Sequence, residues 1–397
     1  MTNNNLLNNF FISLERNSIS YIILRNYDFL PSNLNGSDLD IIIAESSIKS
    51  FYKIIKQFQD ENNLYIVSYV HNKYSPKICL QNRNFGIQID IFIGNVKFMG
   101  KDILKQSIIW GNKINHNNLV VLKPNIGSLL SLLKELFNNR IISNKYIYEV
   151  KKHYSIVPSE LLSNYSIGFI EIINAILSGK RISKISRIKY FRINMVKKRF
   201  LRFHEKIRRV FTQPGFCIVF LGTDGAGKST IIDHITSIFA NAFHKSIYYE
   251  HLRPNLFYSL GRIFKRESSN NVGPNTNPHG GQQSSFIISL LRWTYYLCDY
   301  IIGYYIKVYS KKIYKPCVWF FDRYYYDYYI DQKRLSVKLP KFIIDIGRII
   351  IPKPDLVVCL GTDPKKIYQR KPEISFNEIE RQVNELKKFC GSTKNAI

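Results

Sequence analysis

Residues 216–235 read "FCIVFLGTDGAGKSTIIDHI". An apolar run, a glycine-rich turn and the start of a helix follow one another here. This is the order required to place backbone N–H groups around phosphate oxygens at a helix N-terminus. Gly222, Gly225 and Gly227 keep side chains out of the turn, Lys228 supplies a point charge, and Ser229 offers a hydroxyl to a divalent cation. Asp224 and Thr230 complete the loop as expected nucleotide-binding positions.

About ninety residues further on comes "CVWFFDRYYYDYYIDQKR" (317–334), an apolar strand ending in Asp322. A carboxylate at the C-terminal edge of a parallel sheet faces the metal and nucleotide. A salt bridge to Arg323 at the strand end is the alternative reading of the same residue. A third apolar strand, Asp355 to Leu360, leads into Asp363-Pro364, an N-cap followed by an N1 proline. Arg370 and Lys371 then stand where a lid could bring positive charge onto a transferring phosphoryl group, or form a solvated face.

"GTDGAGKST", "DRY" and "PDLVVCL…DP…R", in this order and spacing, resemble the thymidylate kinase family of P-loop kinases over about 213–397. The resemblance implies ATP and Mg²⁺, with transfer of the γ-phosphate to an acceptor's phosphate. It makes Lys228, Asp322, Arg323 and Arg370 the catalytic set and Ser229 and Asp322 the Mg²⁺ ligands. It further implies acceptor contacts from Arg253 in "YYEHLRPN" and Arg292 in "SLLRWTYYLCDY", to which Asp327 is added as a pocket residue. After "DRY" this chain departs from the family: it carries Asp327, Asp331 and Arg334 and an extra polar loop, 266–285. These features look like a divergent branch found with polysaccharide-biosynthesis genes. The expected acceptor is therefore a nucleoside monophosphate or, alternatively, a sugar or glycan. A nucleotide-binding protein without catalysis is the third reading. At "CGSTKNAI" (390–397) the family would begin another strand, an adenine-side loop and a closing helix. The domain is thus expected to be short at its C-terminus, with Gly391 as a helix cap and Asn395-Ala396-Ile397 opening that strand.

In the N-terminal region, "SYIILRN", "DLDIIIA", "NLYIVSYV" and "GIQIDIFIG" read as strands. "NGSDLDIII" puts Asp38 and Asp40 on one face, and Asp90 in "GIQIDIF" can join them from a neighbouring strand. This arrangement resembles the polymerase-β-type nucleotidyltransferase superfamily over about 10–100 and implies metal binding by Asp38, Asp40 and Asp90. The spacing departs from that family, since Arg25-Asn26 ends the first strand and Gly36-Ser37 abuts Asp38. Solvated acids on an inactive relic are the alternative.

The fold expected is α/β: a P-loop parallel sheet with flanking helices over 213–397, an α+β nucleotidyltransferase-like domain over 1–120, and a helical extension over 121–179. A basic amphipathic linker over 180–212 joins them. Between Lys180 and Arg209 the linker holds thirteen Lys or Arg and one acid, Glu205. It suits either docking between domains or peripheral contact with anionic lipid. The net charge of +28 agrees with anionic partners, although an AT-rich coding bias gives the same mixture. The 45% hydrophobic content argues against wholesale disorder. No RNA-binding signature interleaves the 27 Tyr and 26 Phe with basic residues, so specific nucleic-acid binding is not expected. The six scattered cysteines, the absence of a signal peptide and the absence of a long apolar run point to the cytoplasm, at most held at a membrane surface.

Overall fold

The structure, a computed structural model, describes residues 3–72, 75–98, 101–138, 144–153, 174–175, 178, 207–258 and 284–397. It divides into two compact units, Met1–Phe211 and Thr212–Ile397. The basic linker up to residue 206 and the polar loop up to residue 283 lie outside the described residues.

Unit one begins with α1 (Asn3–Arg16), β1 (Tyr21–Ile23), β2 (Leu39–Ile43), α2 (Ile48–Glu61), β3 (Tyr65–Val70), β4 (Lys77–Gln81) and β5 (Gly86–Ile93). A short hairpin, β6 (Val96–Phe98) and β7 (Lys101–Leu104), follows, then α3 (Gln106–Gly111), β8 (Lys113–His116), β9 (Leu119–Leu122), α4 (Pro124–Asn138) and α5 (Asn144–His153). Seven strands form one mixed sheet in the order β3-β4-β5-β2-β1-β9-β8. Strand periodicity sorts its residues. Leu39, Ile41 and Ile43 of β2 and Ile87, Ile89 and Ile91 of β5 join Phe10, Phe11, Phe51 and Phe58 from α1 and α2 in one core. Asp40 and Asp90, at the intervening positions, therefore face away from those helices. β2 and β5 are parallel neighbours with Asp40 in register with Asp90. The first strand ends at Ile23, two residues before Arg25, not at Arg25-Asn26 as expected from sequence.

Unit two runs β10 (Phe216–Leu221), α6 (Lys228–Phe239), β11 (Ile247–His251), α7 (Phe286–Cys298), β12 (Val318–Asp322), α8 (Asp327–Ile330), α9 (Lys341–Ile350), β13 (Leu356–Cys359), α10 (Pro364–Arg370) and α11 (Phe376–Ser392). Its sheet is wholly parallel in the order β11-β12-β10-β13. All five residues of β12 are buried, as expected of a strand covered on both faces. Ala396 bridges Val357 in parallel, and Ile397 N donates to Val357 O, so the last residues extend the sheet beyond β13. α11 continues through Ser392, which places Gly391 inside its last turn and not in the expected cap. Asp363 does cap α10, its Oδ1 accepting from Lys365 N at 3.0 Å. No helix among the described residues is long and apolar enough to cross a membrane.

The tyrosine runs fill the core of this unit: Tyr300, Tyr304, Tyr324, Tyr325 and Tyr328 are buried with Trp293 and Trp319. Tyr325 Oη accepts from Trp293 Nε1 at 2.8 Å and donates to Ile344 O at 3.0 Å, fixing the ring against α9. Gly347 permits that approach. A Cβ there would fall 1.9 Å from Tyr325 Oη and 2.9 Å from Trp293 Cζ2. Gly347→Ala is expected to destabilise the unit by about 1–3 kcal/mol through overpacking, read as a lowered midpoint in denaturant unfolding.

Candidate functional site

The loop between β10 and α6 leaves the sheet at its C-terminal edge and turns through Gly225 (φ +84°) and Gly227 (φ +94°). At Gly227 nothing lies within 4 Å of where a Cβ would stand, so the left-handed backbone itself requires glycine there. At Gly225 the backbone also sits against Lys371 Cβ, 3.2 Å from where a Cβ would be, and Ile367 O, which brings the α10 segment onto the loop. Lys228 opens α6 and is buried, its Nζ donating to Gly222 O and Thr223 O, both at 3.0 Å. Burial, with the nearby Arg323 charge, pulls its pKa down to about 8 despite the surrounding aspartates. Ser229 and Thr230 are exposed on the first turn of the helix.

Asp322 ends β12 in register with Phe220 of β10, which places its carboxylate beside the loop. Tyr249 Oη donates to Asp322 Oδ2 at 3.3 Å, while the buried Oδ1 has no hydrogen-bond partner among the described residues. A buried carboxylate oxygen so placed is suited to a hard cation. The alternative of an Asp322–Arg323 salt bridge is not what forms. Arg323, in a left-handed conformation (φ +71°), turns its guanidinium to Asp224 Oδ1 and Asp327 Oδ2, both at 2.7 Å. Arg334 grips the other oxygen of Asp224. Burial works to raise the Asp224 carboxyl pKa, but these two guanidinium groups outweigh it and hold it well below the usual carboxylate range.

The structure gives several of the expected site residues protein partners. Arg323 is buried between two carboxylates and ties the loop to the end of β12. Asp224 is paired with Arg323 and Arg334. Asp327 is fully buried because one turn of α8 brings it under Arg323. Arg253, expected to grip an acceptor phosphate, pairs with the buried Asp299, donates to Phe257 O at 2.9 Å and lies 4.7 Å over the Tyr296 ring. Asp299 also accepts from Leu256 N and Phe257 N, so the arginine balances a carboxylate that shapes the turn after β11. Arg292 donates to Ser336 O at 3.1 Å. Arg370 is exposed at the end of α10. The sequence singles out Arg334 only as a departure after "DRY" and does not signal Tyr249 beside Asp322 or Asp299 beside Arg253. The contacts that give them one span 110, 73 and 46 residues, separations that no local pattern reveals.

In unit one, Asp38, Asp40 and Asp90 come together, their ligand oxygens all within 4.8 Å of one another. Asp40 and Asp90 are buried. Arg25 pairs with Asp40 and Lys77 with Asp90, while Gln88 Nε2 donates to Asp90 Oδ1 at 2.9 Å. Burial pulls the Lys77 pKa down, but pairing with Asp90 outweighs it and the net shift is upward. Lys77 reaches the cluster because β4 sets it directly opposite Asp90, a cross-strand pairing that no spacing in the sequence signals.

No protein-family model matches this chain, and no curated protein does. Among solved structures it is similar to thymidylate kinase from Ehrlichia chaffeensis: 14% identity over 46% of this chain and 92% of that one, with a TM-score of 0.29. It is also similar to deoxyadenosine kinase from M. mycoides with bound dATP: 15% identity over 45% and 88%, with a TM-score of 0.28.

The buried Lys228 gives a signed pH dependence. Its folded-state pKa of about 8 lies below the value of about 10.4 for an unfolded chain. Between those limits the unfolded chain binds more protons, so stability rises with pH across that window. Measured against Lys228→Met, wild-type unfolding free energy is expected to gain up to about 3 kcal/mol from about pH 8 to about pH 10.5. A difference that stays flat with pH would show that the amine is not desolvated.

Proposed function

We propose that unit two is an ATP-dependent phosphotransferase whose acceptor is a nucleoside monophosphate. The observation that carries this reading is the placement of Lys228 and Ser229 at the start of α6 and of Asp322 at the end of the neighbouring β12, its buried Oδ1 without a hydrogen-bond partner among the described residues, beside one glycine turn. The residues present fit Mg²⁺–ATP. The loop N–H groups and the α6 N-terminus take the phosphates, and Ser229 and Asp322 supply hard oxygen ligands. Mg²⁺, when bound, neutralises charge on the transferring phosphoryl group. Lys228 must exchange the carbonyls of Gly222 and Thr223 for phosphate oxygens. Charged phosphates then favour its protonated form. Arg370 is exposed on a helix that touches the loop at Gly225, so it can approach the phosphates without breaking an ion pair.

A sugar or glycan acceptor is the second reading, and one observation favours it. Arg253 is already neutralised by Asp299, and Arg292 is held by backbone carbonyls. A hydroxyl acceptor needs neither guanidinium. Transfer from γ-labelled ATP with Mg²⁺ to a panel of nucleoside monophosphates separates the readings. Labelled diphosphate is expected from wild type, with Lys228→Ala and Asp322→Asn each lowering kcat by about 100-fold or more. Carbohydrate-dependent turnover without transfer to any monophosphate would favour the glycan reading. ATP binding with no turnover at all would leave a nucleotide-binding protein without catalysis.

For unit one, we infer that Asp38, Asp40 and Asp90 hold a divalent cation in the manner of a nucleotidyltransferase. Three carboxylates offer the hard oxygen donors that Mg²⁺ or Mn²⁺ prefers. Arg25 and Lys77 offset part of the charge of the same cluster. In a Mn²⁺ titration followed by electron paramagnetic resonance, the Asp40→Asn/Asp90→Asn variant is expected to bind one ion fewer than wild type. Unchanged stoichiometry would make the cluster a set of structural ion pairs.

A further inference from the structure

Helix α9 presents two apolar faces, and only one of them is covered. Ile343, Ile344 and Gly347 are buried against the core. On the next face, Phe342, Ile346, Ile349 and Ile350 are 63%, 48%, 79% and 50% exposed. At roughly 100° per residue these four positions fall within a stripe about 100° wide, so they form one surface. A lone exposed isoleucine is ordinary, whereas four large apolar side chains on one stripe mark an interaction surface.

The charges around the stripe identify its partner. Lys338 and Lys341 lead into the helix and Lys353 follows it. All three are exposed and in no ion pair among the described residues. The only acid on the helix, Asp345, accepts from Tyr329 Oη at 2.7 Å. An apolar stripe bounded at both ends by uncommitted lysines has the pattern of an element that lies in a lipid interface, with cations at the headgroups. The whole chain, at +28, carries the same sign. We propose that the α9 face of unit two docks on an anionic membrane surface, with Phe342, Ile346, Ile349 and Ile350 entering the headgroup–acyl boundary and Lys338, Lys341 and Lys353 contacting lipid phosphates. This surface is formed by other residues than the basic segment 180–209 and does not depend on the activity proposed above.

The test uses the full chain and vesicles of phosphatidylcholine with or without one third phosphatidylglycerol. Wild type is expected to sediment with the anionic vesicles. Phe342→Ser/Ile349→Asp, at two exposed positions, is expected to weaken partitioning roughly tenfold or more while leaving the thermal unfolding midpoint unchanged. Lys338→Glu/Lys341→Glu should weaken it likewise. The effect of Phe342→Ser/Ile349→Asp should persist in a Lys197→Gln/Lys198→Gln/Arg199→Gln background, which separates α9 from the basic segment. In an Ile349→Trp variant, the emission left after subtracting the wild-type spectrum should shift to the blue on anionic vesicles only. Partitioning that ignores both double substitutions, or an unshifted difference emission from that variant, would overturn the proposal. So would a dimer in light scattering that Phe342→Ser/Ile349→Asp dissociates with no dependence on lipid, which would assign the stripe to a second copy of this chain.

Discussion

Unit two depends on the grip that Arg323 and Arg334 keep on Asp224. The loop of residues 222–227 has little structure of its own, since its glycines stabilise no single conformation. Two guanidinium groups from the segment after β12 bind both oxygens of one loop carboxylate, so the loop is fastened to the neighbouring strand end. Arg323 is in turn held by Asp327, in a buried chain of alternating charge in which each ion offsets its neighbour's desolvation. Removing Arg323 would leave the buried Asp327 without its ion-pair partner among the described residues. That constraint explains why Arg323 tolerates a left-handed backbone.

The same network sets the electrostatics felt by Lys228. Its neighbours are Asp322, Asp224 and Asp327 on one side of the balance and Arg323 on the other, and burial tips the result toward the neutral amine. A buried lysine resting on carbonyls regains electrostatic stabilisation of its charged form when an anion stands beside it. Asp322 is complementary: its buried Oδ1 has no hydrogen-bond partner among the described residues, a need that a cation would satisfy.

The acceptor side looks different. Arg253 and Arg292 belong to the architecture, one balancing Asp299 and the other tying α7 to the segment before α9. Arg253 and Arg292 are thus both engaged with protein groups, whereas Asp322 keeps a buried oxygen without a hydrogen-bond partner among the described residues. The two units share a simpler device. Each places carboxylates on the ends or outer faces of parallel strands whose alternate residues build the core, Asp322 on β12 and Asp40 with Asp90 on β2 and β5.

What the sequence carries by itself is local. The strand–turn–helix order around Lys228, the Asp363 cap, the apolar tyrosine runs and the two-residue alternation around Asp40 and Asp90 depend on neighbours a few positions away, where backbone geometry is fixed by covalent connection and periodicity. The grouping of Asp38 and Asp40 with Asp90 was legible too, because alternation gives each strand a defined face. Ion-pair partners were not. Asp224 meets Arg334 and Arg253 meets Asp299 across 110 and 46 residues, contacts that no local pattern signals. Charge alone says that an arginine will seek an anion. Which anion it finds is decided only when packing fixes the distances, since Coulomb energy in a buried site depends steeply on separation and on the exclusion of water.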